Sequence, residues 1–264
     1  MAEQKKLKAK EKGILPIEGQ PAPKEVVRAE TRRDARPEEV WTPKTELGKK
    51  VKSKEITDVK QILDKGQKIR EVKIVDNLLP TLDSDYILIG QAKGKFGGGK
   101  RRIMRQTQKK TREGNKPVFT TMAVVGNHDG YVGVGRGTAK ETVPAREKAL
   151  RNAKLSLMQV GRGCGSWKCA CGEPHSLPFE VHGRCSSVRI KLIPAPKGTG
   201  LVAPDEIQKI LKLAGYKDVW SKATGQTRQR INLVNATMKA LKKTIRTKIR
   251  KADVKVVKYG GIKS

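Results

Sequence analysis

Residues 119–158, FTTMAVVGNHDGYVGVGRGTAKETVPAREKALRNAKLSLM, decide how this chain is read. Met122–Val125 is an unbroken apolar run, the pattern of a strand covered on both faces. Asn127, His128, Asp129 and Gly130 follow with turn chemistry, and Gly130 can take a positive φ at low steric cost. A second strand begins at Tyr131. Its Gly133, Gly135 and Gly137 alternate, which strips one strand face of side chains and lets another backbone come close. Thr138 and Glu141 have capping-box spacing, but a helix starting there would carry Pro144 inside it at a cost of about 3 kcal/mol. Thr142 as N-cap puts Pro144 in the first turn instead. Val143, Leu150, Ala153 and Leu157 then share the predicted inward face.

The 264 residues suffice for one large domain or two small ones. Lys and Arg number 58 against 26 Asp and Glu, a formal net charge of +32. Self-repulsion on that scale calls for a polyanion, and nucleic acid is the usual one. A membrane surface is the other candidate, but the sequence carries no long apolar span, signal-like segment or strongly amphipathic terminal anchor. Aromatic residues make up only 4%, which argues against reading single-stranded bases mainly by stacking and favours contact with phosphates and folded RNA shape. The four cysteines fall between Cys164 and Cys185, unlike a secreted disulfide scaffold, so a cytosolic protein is expected.

Residues 1–50 are a basic extension containing Pro16, Pro21, Pro23, Pro37 and Pro43, expected to be disordered when free. It is either an arm that orders on RNA or a neighbouring protein, or a solubilising tail, with Trp41 as its one anchor. Ser53–Lys65 predicts a helix with Ile56, Val59, Ile62 and Leu63 inward, stopped by Gly66. Ile69–Val75 alternates as a strand does, and Leu78–Ile89, broken by Pro80, is open between strand and helix. Farther on, Leu177–Val181 and Val188–Ile193 read as strands about a turn containing Gly183. Pro204 and Asp205 open a helix with Ile207, Ile210, Leu211 and Ala214 inward and Gly215 as its stop. Tyr216–Trp220 predicts a short strand. A longer helix over Thr227–Arg250 aligns Ile231, Val234, Met238, Leu241, Ile245 and Ile249, leaving Lys239, Lys242, Lys243 and Arg246 to phosphate or to solvent. Val254–Ser264 reads as a loose basic tail. Strands followed by a helix in each half give an α+β class with two small domains, 51–160 and 177–250, joined by a linker over 161–176 and ending in a tail over 251–264.

Ala92–Arg112 carries no acidic residue and combines glycines with cations, which lets backbone amides and charges approach phosphate together. The predicted RNA contact is Lys93, Lys95, Gly97, Gly98, Gly99, Lys100, Arg101, Arg102 and Arg105, with Arg136 added from the glycine-interrupted strand. A solvated hairpin is the bland alternative. Gly94, Gly99 and Lys100 also fit the first seven positions of a phosphate-binding loop, but Arg101 stands where Ser or Thr should hold magnesium. Gly133–Gly137 mimics a dinucleotide loop with the wrong glycine spacing.

Cys164, Cys169, Cys171 and His175 form C-x4-C-x-C-x3-H, with His182 and Cys185 beyond. Three thiols and an imidazole can satisfy tetrahedral zinc, although the spacing departs from the common C-x2-C knuckle. Reduced structural cysteines are the alternative, and His175 could instead meet RNA. A Cys–His nucleophile pair lacks any evident third, orienting residue.

The 119–158 stretch and Leu192-Ile193-Pro194-Ala195-Pro196-Lys197-Gly198-Thr199-Gly200 together resemble the family of small ribosomal subunit protein five, in its archaeal and eukaryotic form. The resemblance spans about residues 55–245. It implies a double-stranded-RNA-binding-like domain over about 55–158 and a left-handed βαβ-type domain over about 176–250. It further implies a non-catalytic, rRNA-binding place in the small subunit near the path of incoming messenger, beside proteins four and eight. There the family affects decoding accuracy and the arrangement of head and body, and the basic loop matches its RNA-contacting loop. The rival classes are an enzyme working through Gly94–Lys100 and a free RNA chaperone.

Overall fold

A computed structural model describes residues 41–92, 101–169, 171–247 and 258–259. Three short helices come first: α1 (Glu46–Lys52), α2 (Val59–Asp64) and α3 (Val72–Leu78). A sheet follows, built from β1 (Asp83–Tyr86), β2 (Arg105–Thr111), β3 (Gly114–Gly126), β4 (Tyr131–Ala139) and β5 (Leu157–Gln159), with α4 (Thr142–Leu155) between the last two. After the short β6 (Gly161–Arg162) the second sheet contains β7 (Val181–Cys185), β8 (Val188–Pro194), β9 (Leu201–Val202) and β10 (Val219–Thr224). Helix α5 (Asp205–Ala214) links β9 to β10, and α6 (Arg230–Arg246) follows. β11 (Lys258–Tyr259) pairs antiparallel with β6.

β3 is long enough to serve two partners on one edge. Its first half pairs with β2, from Gly114–Thr111 to Thr120–Arg105, and its last four residues pair with β1, all antiparallel. β4 takes the other edge and β5 adds to it. Met122–Val125 are buried, as the apolar run predicts. In the second sheet the order is β7-β8-β10-β9, and only the β9–β10 pair, joined by α5, is parallel.

The glycine face of β4 meets α4. A Cβ on Gly133, Gly135 or Gly137 would come within 2.1–2.3 Å of α4 backbone atoms. The buried stripe of α4 is therefore Ala145, Ala149 and Ala153, because only methyl groups fit where backbones come so close. This corrects the predicted face: Val143 is 60% exposed, Leu150 is half-buried, and Leu157 lies on β5. The helix starts at Thr142 with Glu141 preceding it, one residue from the expected cap, and Pro144 stays in the first turn.

The β3–β4 turn holds the end of α5. Asn127 Oδ1 accepts the Asp129 and Tyr131 amides at 2.9 and 3.1 Å, and Gly130 has φ +88°. His128 N–H donates to Leu213 O at 2.9 Å and Gly130 N–H to Ala214 O at 3.1 Å, so a turn of one sheet satisfies helix-end carbonyls belonging to the other. Ile87, Met122, Val124 and Val132 join Leu192, Ile207, Ile210, Leu211, Leu233 and Leu241 in one continuous core through which the two sheet domains meet. Helix α5 ends as predicted, on Gly215 in the left-handed conformation.

Several local expectations are corrected. Val72–Leu78 is a helix, since Ile74 and Val75 bury against Tyr131 and Leu157 and helical spacing outweighs the short alternation. Ser53 caps α1 rather than opening the next helix. α1 also begins inside the extension expected over 1–50, and Trp41 packs against the first small cluster, its Nε1 donating to Glu71 at 2.9 Å. Leu177–Val181 is not a strand; Gly183 lies within β7, where a Cβ would meet Ala236 O at 2.0 Å, and the turn falls at Ser186–Ser187. β10 runs from Val219 to Thr224, later than predicted. On α6 the buried residues include Leu233, Ala236, Thr237, Ala240 and Thr244, while Ile245 is exposed. Lys258 and Tyr259 form a strand rather than loose tail; Ile249 and the rest of 251–264 lie outside the described residues.

Candidate nucleic-acid interface and thiol–imidazole cluster

β2 and β3 form a hairpin that projects past the α4 contact, and every residue from Arg105 to Lys110 is exposed. Register fixes its faces. Arg105 pairs with Thr120 and Thr120 with Thr138, so Arg105 lies on the same face as Arg136, two residues from Thr138. Arg136 is exposed and opposite Met122, on the face away from α4. Arg102 is exposed and Arg101 half-buried; the Ala92–Arg101 bridge and the Gly90 N–H to Arg102 O bond of 2.9 Å fix their backbones. The predicted Lys93, Lys95, Gly97, Gly98, Gly99 and Lys100 lie outside the described residues, as does the Gly94–Lys100 loop.

Beyond Arg105, the last residue of the basic loop expected to contact RNA, the hairpin adds Lys109, Lys110 and Arg112. Their signal was the polar Thr111-Arg112-Glu113-Gly114-Asn115 turn between two basic arms. Lys109 pairs across the ladder with Lys116, and like charges directly opposite destabilise a sheet. Lys116 is joined by Glu113 at 2.7 Å, whereas Arg102, Arg105, Lys109, Lys110 and Arg112 make no ion pair among the described residues. Such a surface is relieved by a line of phosphates.

The linker between the sheets folds into a clasp. Gly163 and Ser176 exchange backbone hydrogen bonds of 2.8 and 2.9 Å, and Gly165 N–H donates to Leu177 O at 3.0 Å. Between these ties, Cys164, Cys169, Cys171 and His175 come together, one ligand atom from each, all within 4.8 Å of one another. Four donors about 2.3 Å from a tetrahedral zinc stand about 3.8 Å apart, so closure needs a contraction of about 1 Å at most. His182 and Cys185 stay outside the set. His182 pairs with Glu180 at 2.9 Å, and Cys185 ends β7.

His175 is buried, with Nδ1 2.8 Å from Asp218 Oδ2 and Nε2 3.7 Å from Cys169 Sγ. The carboxylate fixes the ring and leaves Nε2 for the thiols, the usual support of a metal-bound imidazole. Asp218 is fixed in turn: its Oδ1 accepts Gly200 N–H at 2.8 Å, and its backbone O accepts the Ser176 hydroxyl at 2.5 Å. Burial pushes the Cys164 thiol up to about 11, while the Lys197 backbone N–H, followed by Cys171, brings Cys169 down to about 6.

Asp218 is the orienting residue that sequence spacing did not suggest, because it comes 43 positions after His175. Cys169, His175 and Asp218 thus have the order of a nucleophile, base and acid. Cys164 and Cys171 crowd the same thiol and imidazole, however, where an attacked carbonyl would have to stand. Three thiols around one imidazole are a soft-metal donor set, and these four residues could hold a metal ion.

The fold, and hairpin cations that make no ion pair among the described residues, define a basic α+β protein that presents positive charge from a two-sheet frame. The chain belongs to the ribosomal protein S5 family: the family models "Ribosomal protein S5, N-terminal domain" and "Ribosomal protein S5, C-terminal domain" match residues 103–161 and 183–253. Its relatives include the small ribosomal subunit protein uS5 of Nanoarchaeum equitans, 48% identical over 84% of this chain and 95% of that protein. That of Thermofilum pendens is 46% identical over 77% and 94%, and that of Methanobrevibacter smithii 44% identical over 83% and 97%. The α+β, two-domain reading and the family resemblance are both borne out.

Proposed function

We propose that the protein is a non-catalytic constituent of the small ribosomal subunit that binds rRNA in the cytoplasm. The observation that carries this reading is the β2–β3 hairpin, whose Arg105, Lys109, Lys110 and Arg112 have no carboxylate partner among the described residues and whose Lys109 faces Lys116. Phosphate backbone entering beside that ladder neutralises the repulsion, while the glycine-tightened α4–β4 contact keeps the hairpin base fixed. Arg101, Arg102, Arg105 and Arg136 supply the described part of the contact, and Lys93, Lys95, Gly97–Gly99 and Lys100 extend it. The reading places the protein near the path of incoming messenger, beside small-subunit proteins four and eight, where it supports decoding accuracy and the head–body arrangement. Its domains are residues 41–160 and 177–250 about the 161–176 clasp. Membership of a ribosomal family supports each of these over the enzyme and the free chaperone.

In the same reading Cys164, Cys169, Cys171 and His175 hold a structural zinc, with Asp218 orienting the imidazole. The ion would tie the linker to the start of β10, where its work is mechanical.

Filter binding of the full chain to deproteinised small-subunit rRNA, from about 0.05 to about 0.3 M salt, tests the reading. Each neutralised phosphate contributes about 0.7–0.9 to the slope of log K against log salt, so five or more contacts predict a slope steeper than about −3.5. A flat dependence, or equal affinity for duplex DNA, contradicts it.

A further inference from the structure

Trp167 is fully exposed, unlike Trp41 and Trp220, which are half-buried. A solvent-exposed indole on a fixed turn is unusual, because a large apolar ring gains most by burial. The turn beneath it is closed by two long hydrogen bonds and by close backbone packing. Cys164 and Cys169 bracket it, Cys169 N–H donates to Ser166 O at 3.3 Å, and Lys168 N–H donates to Ser166 Oγ at 3.4 Å. Gly165 sits so close to the following segment that a Cβ would stand 2.2 Å from Pro178 O. Lys168, exposed, is the next residue. The turn thus displays one aromatic face and one cation at the tip of a clasp whose base is tied to both sheets.

We infer that Trp167 stacks on an unpaired or helix-terminal base of RNA, with Lys168 on the adjoining phosphate. The inference rests on the proposal that the protein binds small-subunit rRNA. An indole with a cation beside it matches RNA, where every base offers a π-face and every nucleotide a phosphate. The scarcity of aromatic residues, 4% of the chain, makes a single stacking anchor within an otherwise electrostatic contact the economical reading. The remaining interface meets phosphate, which positions the protein, and Trp167 adds stacking affinity with little preference for which base it meets.

The test uses the full chain and deproteinised small-subunit rRNA, comparing wild type with W167A, W167F and K168A. Because the indole touches solvent alone, W167A keeps the wild-type melting temperature, and a lower one overturns the premise that the ring is free. The expected result is an affinity on the order of 10-fold weaker for W167A at every salt concentration, with an unchanged salt slope. W167F recovers most of the loss, and K168A lowers the slope by about 0.7–0.9. Equal binding by W167A and wild type overturns the inference while leaving the rRNA reading intact; absence of binding by the wild type overturns both. If W167A binds RNA normally yet fails to enter the subunit, the ring docks on a protein and the inference is wrong.

Discussion

Gly135 lies directly against Ala153: a Cβ built on the glycine would stand 2.1 Å from the Ala153 amide nitrogen and 2.4 Å from Ala149 O. Neither atom belongs to a flexible side chain, so relief requires the helix to move. We expect G135A to lower stability by about 3 kcal/mol, at the upper end of the usual overpacking range. G66A is the control, since Gly66 has φ +65° and no atom near its Cβ, leaving only a backbone cost of about 1 kcal/mol. Denaturant unfolding ranks the two. Equal losses would contradict the close helix–strand contact.

That contact was half legible in the sequence. Alternating glycines announced that a backbone would approach β4, and the turn at Asn127–Gly130 was readable from its chemistry. The helix face was not. Periodicity favours large apolar residues, whereas the space left by the glycines admits only the methyls of Ala145, Ala149 and Ala153. The Ile69–Val75 alternation misled because so short a stretch carries both periods, and burial against Tyr131 and Leu157 chose the helix. Of the candidate sites, the grouping of Cys164, Cys169, Cys171 and His175 was legible from spacing, while Asp218 was not, because only the fold brings the residue before β10 to His175.

Glu71 fastens the segment that leads into α1. Its carboxylate accepts the Thr45 amide at 2.6 Å, the Lys44 amide at 3.0 Å and the Trp41 indole at 2.9 Å. The Thr45 side chain first, and then the Thr45 amide, the Trp41 indole and the Lys44 amide, hold its pKa below the ordinary carboxylate value. A carboxyl depressed in the folded state contributes stability that is complete above its unfolded value, about 4.3, and is lost as pH falls through the lower folded value. Trp41 emission should therefore change on acidification below about pH 4, and in E71Q it should already be shifted at neutral pH and vary little. An identical pH profile for E71Q and wild type would remove Glu71 from this role.

The clasp predicts one zinc per chain by elemental analysis of protein purified without chelator. C169S should lose it, and D218N should weaken binding by about 10-fold or more through the imidazole it orients. Metal-free protein with normal stability would leave the cysteines as reduced packing residues.

Arg105 and Arg136 share a sheet face and should act on phosphate alone. R105A and R136A are each expected to lower the salt slope by about 0.7–0.9 with no change in base preference, and the double variant by the sum. A variant that altered sequence preference at constant slope would place the residue on a base edge.

The most direct test of the central claim is sedimentation of cell lysate through a sucrose gradient after a wash at about 0.5 M salt, where loose electrostatic binding is screened. A constituent of the small subunit remains there at one copy per particle. Release of the protein into the soluble fraction would contradict the account.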